Sequence, residues 1–276
     1  MKIRDWKKIS IKKLNYAFSA YHDVLILLSY VLNHSISWLI AFDDIELTIV
    51  QQKQLNKLLN RRVNNEPLNY IICSKYFWSL NFFLSKDVLI PRSDTEKLVE
   101  ISLIKINMKK KQYILDLGTG SGNIAISIAN ECSNCHVMGI DYTTKIIKLA
   151  KYNANKLNIK NVFFCKSNWF SCLNNYKFNI IVSNPPYISI KEKKNLSKDI
   201  MFEPKKALFT TKKGLQDIEH IISNAKYYLL QDGWLILEHG WNQKNEVFNF
   251  FVKYKFTTIE SYKDYNGYDR VIAGKL

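Results

Sequence analysis

The sequence predicts an α/β protein in which a small helical bundle and a β-hairpin precede a mostly parallel sheet with helices on both faces. Three observations carry this expectation. No glycine occurs before Gly118 and no proline before Pro67, as suits a helical opening segment. Residues 76–91 turn aromatic and β-branched, which favours strands. From about Ser93, short apolar runs alternate with amphipathic ones, the pattern of strand–helix–strand units. The expected domains are therefore 1–75 (helical), 76–91 (hairpin linker) and 92–276 (sheet domain).

The elements follow in order. In the helical segment, Leu25, Leu28, Tyr30–Leu32 and Leu39 recur at helical spacing, as do Leu47, Val50, Leu55, Leu58 and Leu59. Asp43, Asp44 and Glu46 resemble the acidic first turn of a helix. In the hairpin, Tyr76–Trp78, Phe82, Phe83 and Val88–Ile90 favour strands, with a turn at Ser79–Asn81. Strands are then expected at Tyr113–Leu117, Val137–Asp141, Val162–Phe164, Asn179–Ser183 and Trp234–Glu238. Helices are expected at Ile124–Ala129, Thr143–Leu157 and Ile218–Leu230. Phe256–Tyr262 and Arg270–Gly274 close the chain as a strand pair.

With 47% hydrophobic residues over 276 positions, the chain can build a substantial core, which excludes a disordered protein. The most apolar run, Val24–Leu32, is too short to span a bilayer, and MKIRDWKKIS leads into no apolar signal core. A cytoplasmic location is expected, with no membrane partner. Five scattered cysteines argue against a disulfide framework; Cys132 and Cys135 have CxxC spacing without a second pair, and all five are expected as thiols. No metal site is expected. The net charge of +16 suggests nucleic acid first. However, 35 of the 40 basic residues are lysine, and asparagine (27) and isoleucine (33) are also abundant. All three have A/T-rich codons, so genome composition accounts for the excess as well. The charge is also dispersed: residues 1–85 hold eleven basic and six acidic residues.

Two constellations carry chemistry. The first is Asp116-Leu-Gly118-Thr119-Gly120-Ser121-Gly122, between an expected strand and an expected helix. Glycines there permit a tight turn and close approach of backbone to a ligand. Asp141 ends the next strand, where an acid can accept both ribose hydroxyl hydrogens. An adenosine-containing cofactor is implied. Asn123 stands where a dinucleotide motif wants glycine, and no Walker lysine is present. The spacing suits S-adenosyl-L-methionine on a Rossmann-like domain. The second constellation, Ser183-Asn184-Pro185-Pro186-Tyr187, follows the fourth strand. Prolines fix the backbone, so the Pro185 carbonyl has a set direction, and the Asn184 side-chain oxygen is a second acceptor. Two acceptors match the two hydrogens of a planar –NH2, and Tyr187 offers a face for stacking. Together the two imply methyl transfer to a planar nitrogen, with no strong general base required.

LDLGTGSG and SNPPY, with IPRSDTE upstream and FEP downstream, resemble the release factor glutamine methyltransferases, the PrmC/HemK family. The similarity runs from about Arg61 to the C-terminus behind a helical segment of matching size. The resemblance implies a class I S-adenosylmethionine-dependent methyltransferase fold and N5-methylation of the glutamine in the Gly-Gly-Gln motif of class-I peptide chain release factors. It implies that Gly118–Gly122 cradle the methionine part of the cofactor, that Asp141 binds ribose and that Trp169 covers adenine. It implies that Asn184, Pro185, Pro186 and Tyr187 grip the glutamine amide, with Asn184 and Pro185 catalytic. Arg92, Asp94, Thr95 and Glu96 match the segment entering the catalytic domain, and Phe202-Glu203-Pro204 a loop near the active site. Asn65 and Cys73 stand where the family usually has glycine, and Ser93 where it often has proline.

Alternatives remain at this stage: glutamine methylation of a ribosomal protein, an N6-adenine or N2-guanine nucleic-acid methylase using a similar grip, or a non-enzymatic RNA-binding protein. Diffuse charge argues against a stable nucleic-acid partner. Glu238-His239-Gly240, Trp78, Trp234 and Trp241 are expected to be structural. Lys191–Lys198 is expected as a mobile solvated flap.

Overall fold

Residues 1–14 and 19–276 are described by the computed structural model, apart from the side chains at 194 and 195. The helical expectation at residues 15–18, and those two flap side chains, lie outside the described residues. The chain divides into two compact units, Met1–Ser74 with Ser197–Phe202, and Lys75–Leu196 with Glu203–Leu276.

The first unit contains α1 (Ile3–Lys13), α2 (Ala20–Leu32), α3 (Ile36–Ala41), α4 (Ile49–Val63) and α5 (Leu68–Ile71). Leu27, Leu28, Leu39, Leu55 and Leu59 meet around Trp6 in one apolar core. The start of α4 differs from the acidic turn expected. Thr48 caps it, accepting from Gln51 N while Gln51 Oε1 accepts from Thr48 N, and Asp43 instead pairs with Lys7 at 2.9 Å. Val50, expected on the apolar face, is exposed.

The hairpin is β1 (Ser74–Phe77) and β2 (Leu80–Phe83). Its turn lies at Trp78-Ser79, one residue earlier than expected, and both have positive φ (50° and 60°), as a two-residue primed turn requires. Val88–Ile90 form no strand: the Ile90 N–H donates to the Glu203 carboxylate at 3.1 Å instead of to a ladder. The second unit continues with α6 (Glu96–Lys105), β3 (Gln112–Leu117), α7 (Asn123–Glu131), β4 (Cys135–Asp141), α8 (Thr144–Lys156), β5 (Val162–Lys166) and β6 (Phe178–Ser183). After these come β7 (Ile188–Ser189), α9 (Lys205–Leu208), β8 (Phe209–Thr210), α10 (Gln216–Ala225), β9 (Leu229–Glu238), α11 (Lys244–Lys253), β10 (Thr257–Lys263) and β11 (Asp269–Lys275). The sequence reading did not anticipate α6 or α11. It also ran α10 too far, because Leu229 pairs with Phe178 and draws Leu229–Leu230 into β9. Ile190–Asn195, overlapping the expected flap at Lys191–Lys198, is a 3-10 turn.

Seven strands form one sheet in the order β10-β11-β9-β6-β3-β4-β5. β5, β4, β3, β6 and β9 are parallel neighbours, and β11 runs antiparallel between β9 and β10. Alternation along each strand feeds two apolar layers. Ile114, Ile180 and Ile236 pack with α6, α7 and α8, whereas Leu115, Ile181 and Leu235 pack with α10 and α11. This is the Rossmann-like architecture expected. Among the described residues, no helix is long and apolar enough to cross a membrane.

Two further structural expectations change. Cys132 and Cys135, expected as thiols, are joined by a disulfide across the turn from α7 to β4, where their Cα atoms lie 5.4 Å apart. Trp241, expected in the core, is 63% exposed.

Candidate active site

Strand register sets the site. Cys165, Ile140, Leu117, Ser183 and Leu237 form one row across β5, β4, β3, β6 and β9. One residue beyond that row stand Asp141, Gly118, Asn184 and Glu238, so side chains far apart in sequence emerge at one sheet edge. β3 is where strand order reverses, which opens a crevice between the loops after β3 and β6.

The loop after β3 is held by backbone. Gly118 N and Thr119 N donate to Ile140 O, and Gly120 N donates to Asp141 Oδ2 at 2.9 Å. Gly118, Gly120 and Gly122 have φ of 73°, 54° and 84°, a region that disfavours side chains. Their surroundings differ. A Cβ on Gly120 would meet nothing within 4 Å, so that backbone faces open space. A Cβ on Gly122 would lie 2.9 Å from Ile126, so that glycine serves helix packing.

Two carboxylates anchor this corner. Asp141 is buried, which raises its pKa, while the Gly120 and Tyr142 amides hold it down. Asp116 is fully buried; burial lifts it to about 7, against the Thr119 hydroxyl, which donates to its Oδ2 at 2.6 Å. Trp169 begins the 3-10 turn Trp169–Cys172. Its ring lies 3.8 Å from where a Gly118 Cβ would stand.

After β6, Asn184 Nδ2 donates to Thr95 Oγ1 at 3.0 Å. Among the described residues nothing donates to its Oδ1. Gly118–Ser121, Asp141, Trp169, Asn184 and Pro186 line a single pocket with Thr95 and Arg92. Three expected site residues stand back from its wall. Gly122 packs behind it, and Pro185 is buried. Tyr187 packs in the apolar layer of α10 and α11 and donates its hydroxyl to Glu238 Oε1 at 3.2 Å.

Three supporting residues, Glu238, Gln243 and Gly214, escaped the sequence reading as site components, and Glu203 was placed near the site only by the family resemblance. Glu238 is buried, and desolvation raises its pKa to about 7 despite the Thr95 and Tyr187 hydroxyls and Arg270 nearby. Glu203 accepts from Ile90 N and from Arg92 Nη2, tying the loop before α9 to the segment before α6. Gln243 donates to Tyr187 O at 2.9 Å, and a Cβ on Gly214 would collide with that same carbonyl. Only an acid ending an apolar strand (Glu238) left a trace in the linear pattern.

The pocket fits an adenosine-bearing group: an open glycine backbone, a buried acid at the second strand's end and an indole wall. A methyltransferase-domain model matches residues 108–267, and a PrmC N-terminal domain model matches 9–72. The chain is 51% identical over 275 residues to a release factor glutamine methyltransferase of Buchnera aphidicola subsp. Acyrthosiphon pisum, covering 100% of this chain and 99% of the relative. It is 38% identical to the Escherichia coli protein of the same name, with the same coverage. The catalytic domain of hMettl16 (TM-score 0.58, 13% identity, 71% of this chain and 76% of that one) shares the fold. So does a Pyrococcus furiosus methyltransferase (TM-score 0.54, 16% identity, 81% and 98%).

Proposed function

Because this chain belongs to the release factor glutamine methyltransferase family, we propose that it transfers a methyl group from S-adenosyl-L-methionine to N5 of the Gly-Gly-Gln glutamine of class-I peptide chain release factors. The observation that carries this reading is the orientation of Asn184. Its nitrogen is tied to Thr95, which leaves its oxygen free at a pocket shared with the glycine loop and Asp141.

When bound, the cofactor supplies an electrophilic methyl group on a cationic sulfur. Gly118–Ser121 would hold its methionine part, Asp141 its ribose and Trp169 its adenine. Asn184 Oδ1 and the Pro185 carbonyl would accept the two hydrogens of the glutamine amide. That grip turns the conjugated nitrogen lone pair toward the donor and stabilises positive charge as it grows on nitrogen. The amide proton becomes acidic only as the new bond forms, so no strong base is needed. Burial and the Glu238 carboxylate push the Tyr187 phenol up, so it stays protonated at neutral pH and does not act as that base.

The test is incubation of the purified chain and labelled cofactor with a panel of release factors, ribosomal proteins, DNA and RNA. Label on the release-factor glutamine is expected; label confined to nucleic acid or to a ribosomal protein would sink the assignment. Asn184→Ala is expected to lower kcat by about a hundredfold or more while leaving cofactor affinity within a few-fold. Normal turnover by that variant would remove Asn184 from the mechanism.

A further inference from the structure

A side-chain amide can grip a planar –NH2 only when it is turned the right way. Flipped, Asn184 would present a donor where an acceptor is required. Its partner decides. Asn184 Nδ2 donates to Thr95 Oγ1, but a hydroxyl can also donate, so Thr95 alone would tolerate either orientation. The Thr95 proton has to be committed elsewhere.

Glu238 meets that need. Its carboxylate is 1% exposed, and the hydroxyls of Thr95 and Tyr187 both lie against it. Tyr187 donates to Oε1 and, among the described residues, Oε2 has no hydrogen-bond partner, so the carboxylate beside Thr95 keeps an acceptor open. Above about pH 7, where Glu238 is ionised, its carboxylate only accepts, draws both hydroxyl protons inward and leaves Thr95 Oγ1 to accept from Asn184. The three groups come from separate elements: the turn before α6, the loop after β6 and the end of β9.

We propose that Thr95 and Glu238 are positioning residues, a directed hydrogen-bond relay that locks Asn184 in its accepting orientation toward the methyl-receiving amide. This rests on the reading of Asn184 as the amide-gripping residue. Thr95 also precedes α6, and a purely structural role there would lower stability without lowering turnover per cofactor-loaded site.

The test compares Thr95→Val, Thr95→Ser, Glu238→Gln and Asn184→Ala, using a purified class-I release factor for kinetics and calorimetry for cofactor affinity and sites per chain. Thr95→Val is isosteric but cannot accept. It is expected to lower kcat about tenfold or more, with one cofactor site per chain and an affinity within about threefold. Thr95→Ser should recover kcat to within about threefold of the parent. Glu238→Gln, which can donate and so unlocks the relay, should behave like Thr95→Val; it carries the test if the valine variant loses its cofactor site. Thr95→Val and Glu238→Gln both within about twofold of the parent, with Asn184→Ala inactive, would overturn the relay and leave the function standing. An active Asn184→Ala would overturn both.

Discussion

Scarce glycine pushes left-handed backbone onto other residues. Asn33, Asn65, Asn158 and Asn175 take φ of 55°, 65°, 57° and 64°, which asparagine tolerates through local hydrogen bonds. Cys73, at φ 53°, has only the weak bond that its thiol donates to Tyr70 O at 3.5 Å. The resemblance puts glycine at 65 and 73, so both departures fall where glycine costs least. Cys73→Gly is expected to raise unfolding free energy by about 0.5–1 kcal/mol, the strain relieved less the added chain entropy, read by urea titration. A lower midpoint would show that the Cys73 side chain contributes more than its strain costs. Asp116 gives a pH signature. Its folded pKa of about 7 lies above the ordinary 3.8, so between these values the native chain keeps a proton that the unfolded chain has lost. Its contribution is fully favourable below about pH 4 and declines as pH rises through 7. Asp116→Asn keeps an acceptor for Thr119 and cannot ionise. The stability of this variant relative to the parent should therefore grow from pH 5 to pH 8, measured by urea unfolding at both. A pH-independent difference would show that Asp116 folds without its proton.

Among elements, buried Asn153 on α8 joins the hairpin to the glycine loop. It accepts from Phe83 N at 2.8 Å and donates to Phe83 O and Ser121 O at 3.0 and 2.8 Å. Asn153→Leu would leave these groups unpaired inside the protein. It is expected to cost about 2–4 kcal/mol in chemical denaturation and to weaken cofactor binding, since Ser121 sits in the loop. A loss under about 1 kcal/mol would mean that solvent replaces these bonds. Elements also show what periodicity can reveal. β3, β4 and β6 were readable because each apolar run stops at a polar or glycine position where the chain leaves the sheet. α6 was not: its buried face (Leu98, Val99, Ile101, Ser102) includes a polar serine, while the apolar Ile104 on the opposite side is exposed, so its sequence carries no clean stripe. α10 overran because an apolar Leu-Leu suits a helix end and a strand start equally, and only pairing with Phe178 decides.

At the scale of the whole molecule, a net charge of +16 repels itself in the compact state. Raising salt from 0.01 to 0.15 M shortens the screening length from about 30 to about 8 Å, so Tm should rise by a few degrees. A fall in Tm would mean that local ion pairs such as Arg62–Asp23 outweigh the general repulsion. The candidate site divides in the same way between what is local and what is not. Among the pocket residues, Gly118–Ser121, Asp141, Asn184 and Pro186 were legible because each obeys a short-range rule (a glycine turn, an acid closing a strand, a proline pair after one), whereas Trp169 came only with the family resemblance. The set of Asn184 against Thr95 was not, nor Tyr187 on Glu238, nor Arg92 on Glu203. These pairs are 89, 51 and 111 positions apart, and no local pattern encodes such a meeting. Chain order settles which chemistry is present, because propensity and motif act over a few residues. Packing of the sheet settles which way each reacting group points, because orientation depends on partners that only strand register brings within hydrogen-bonding reach.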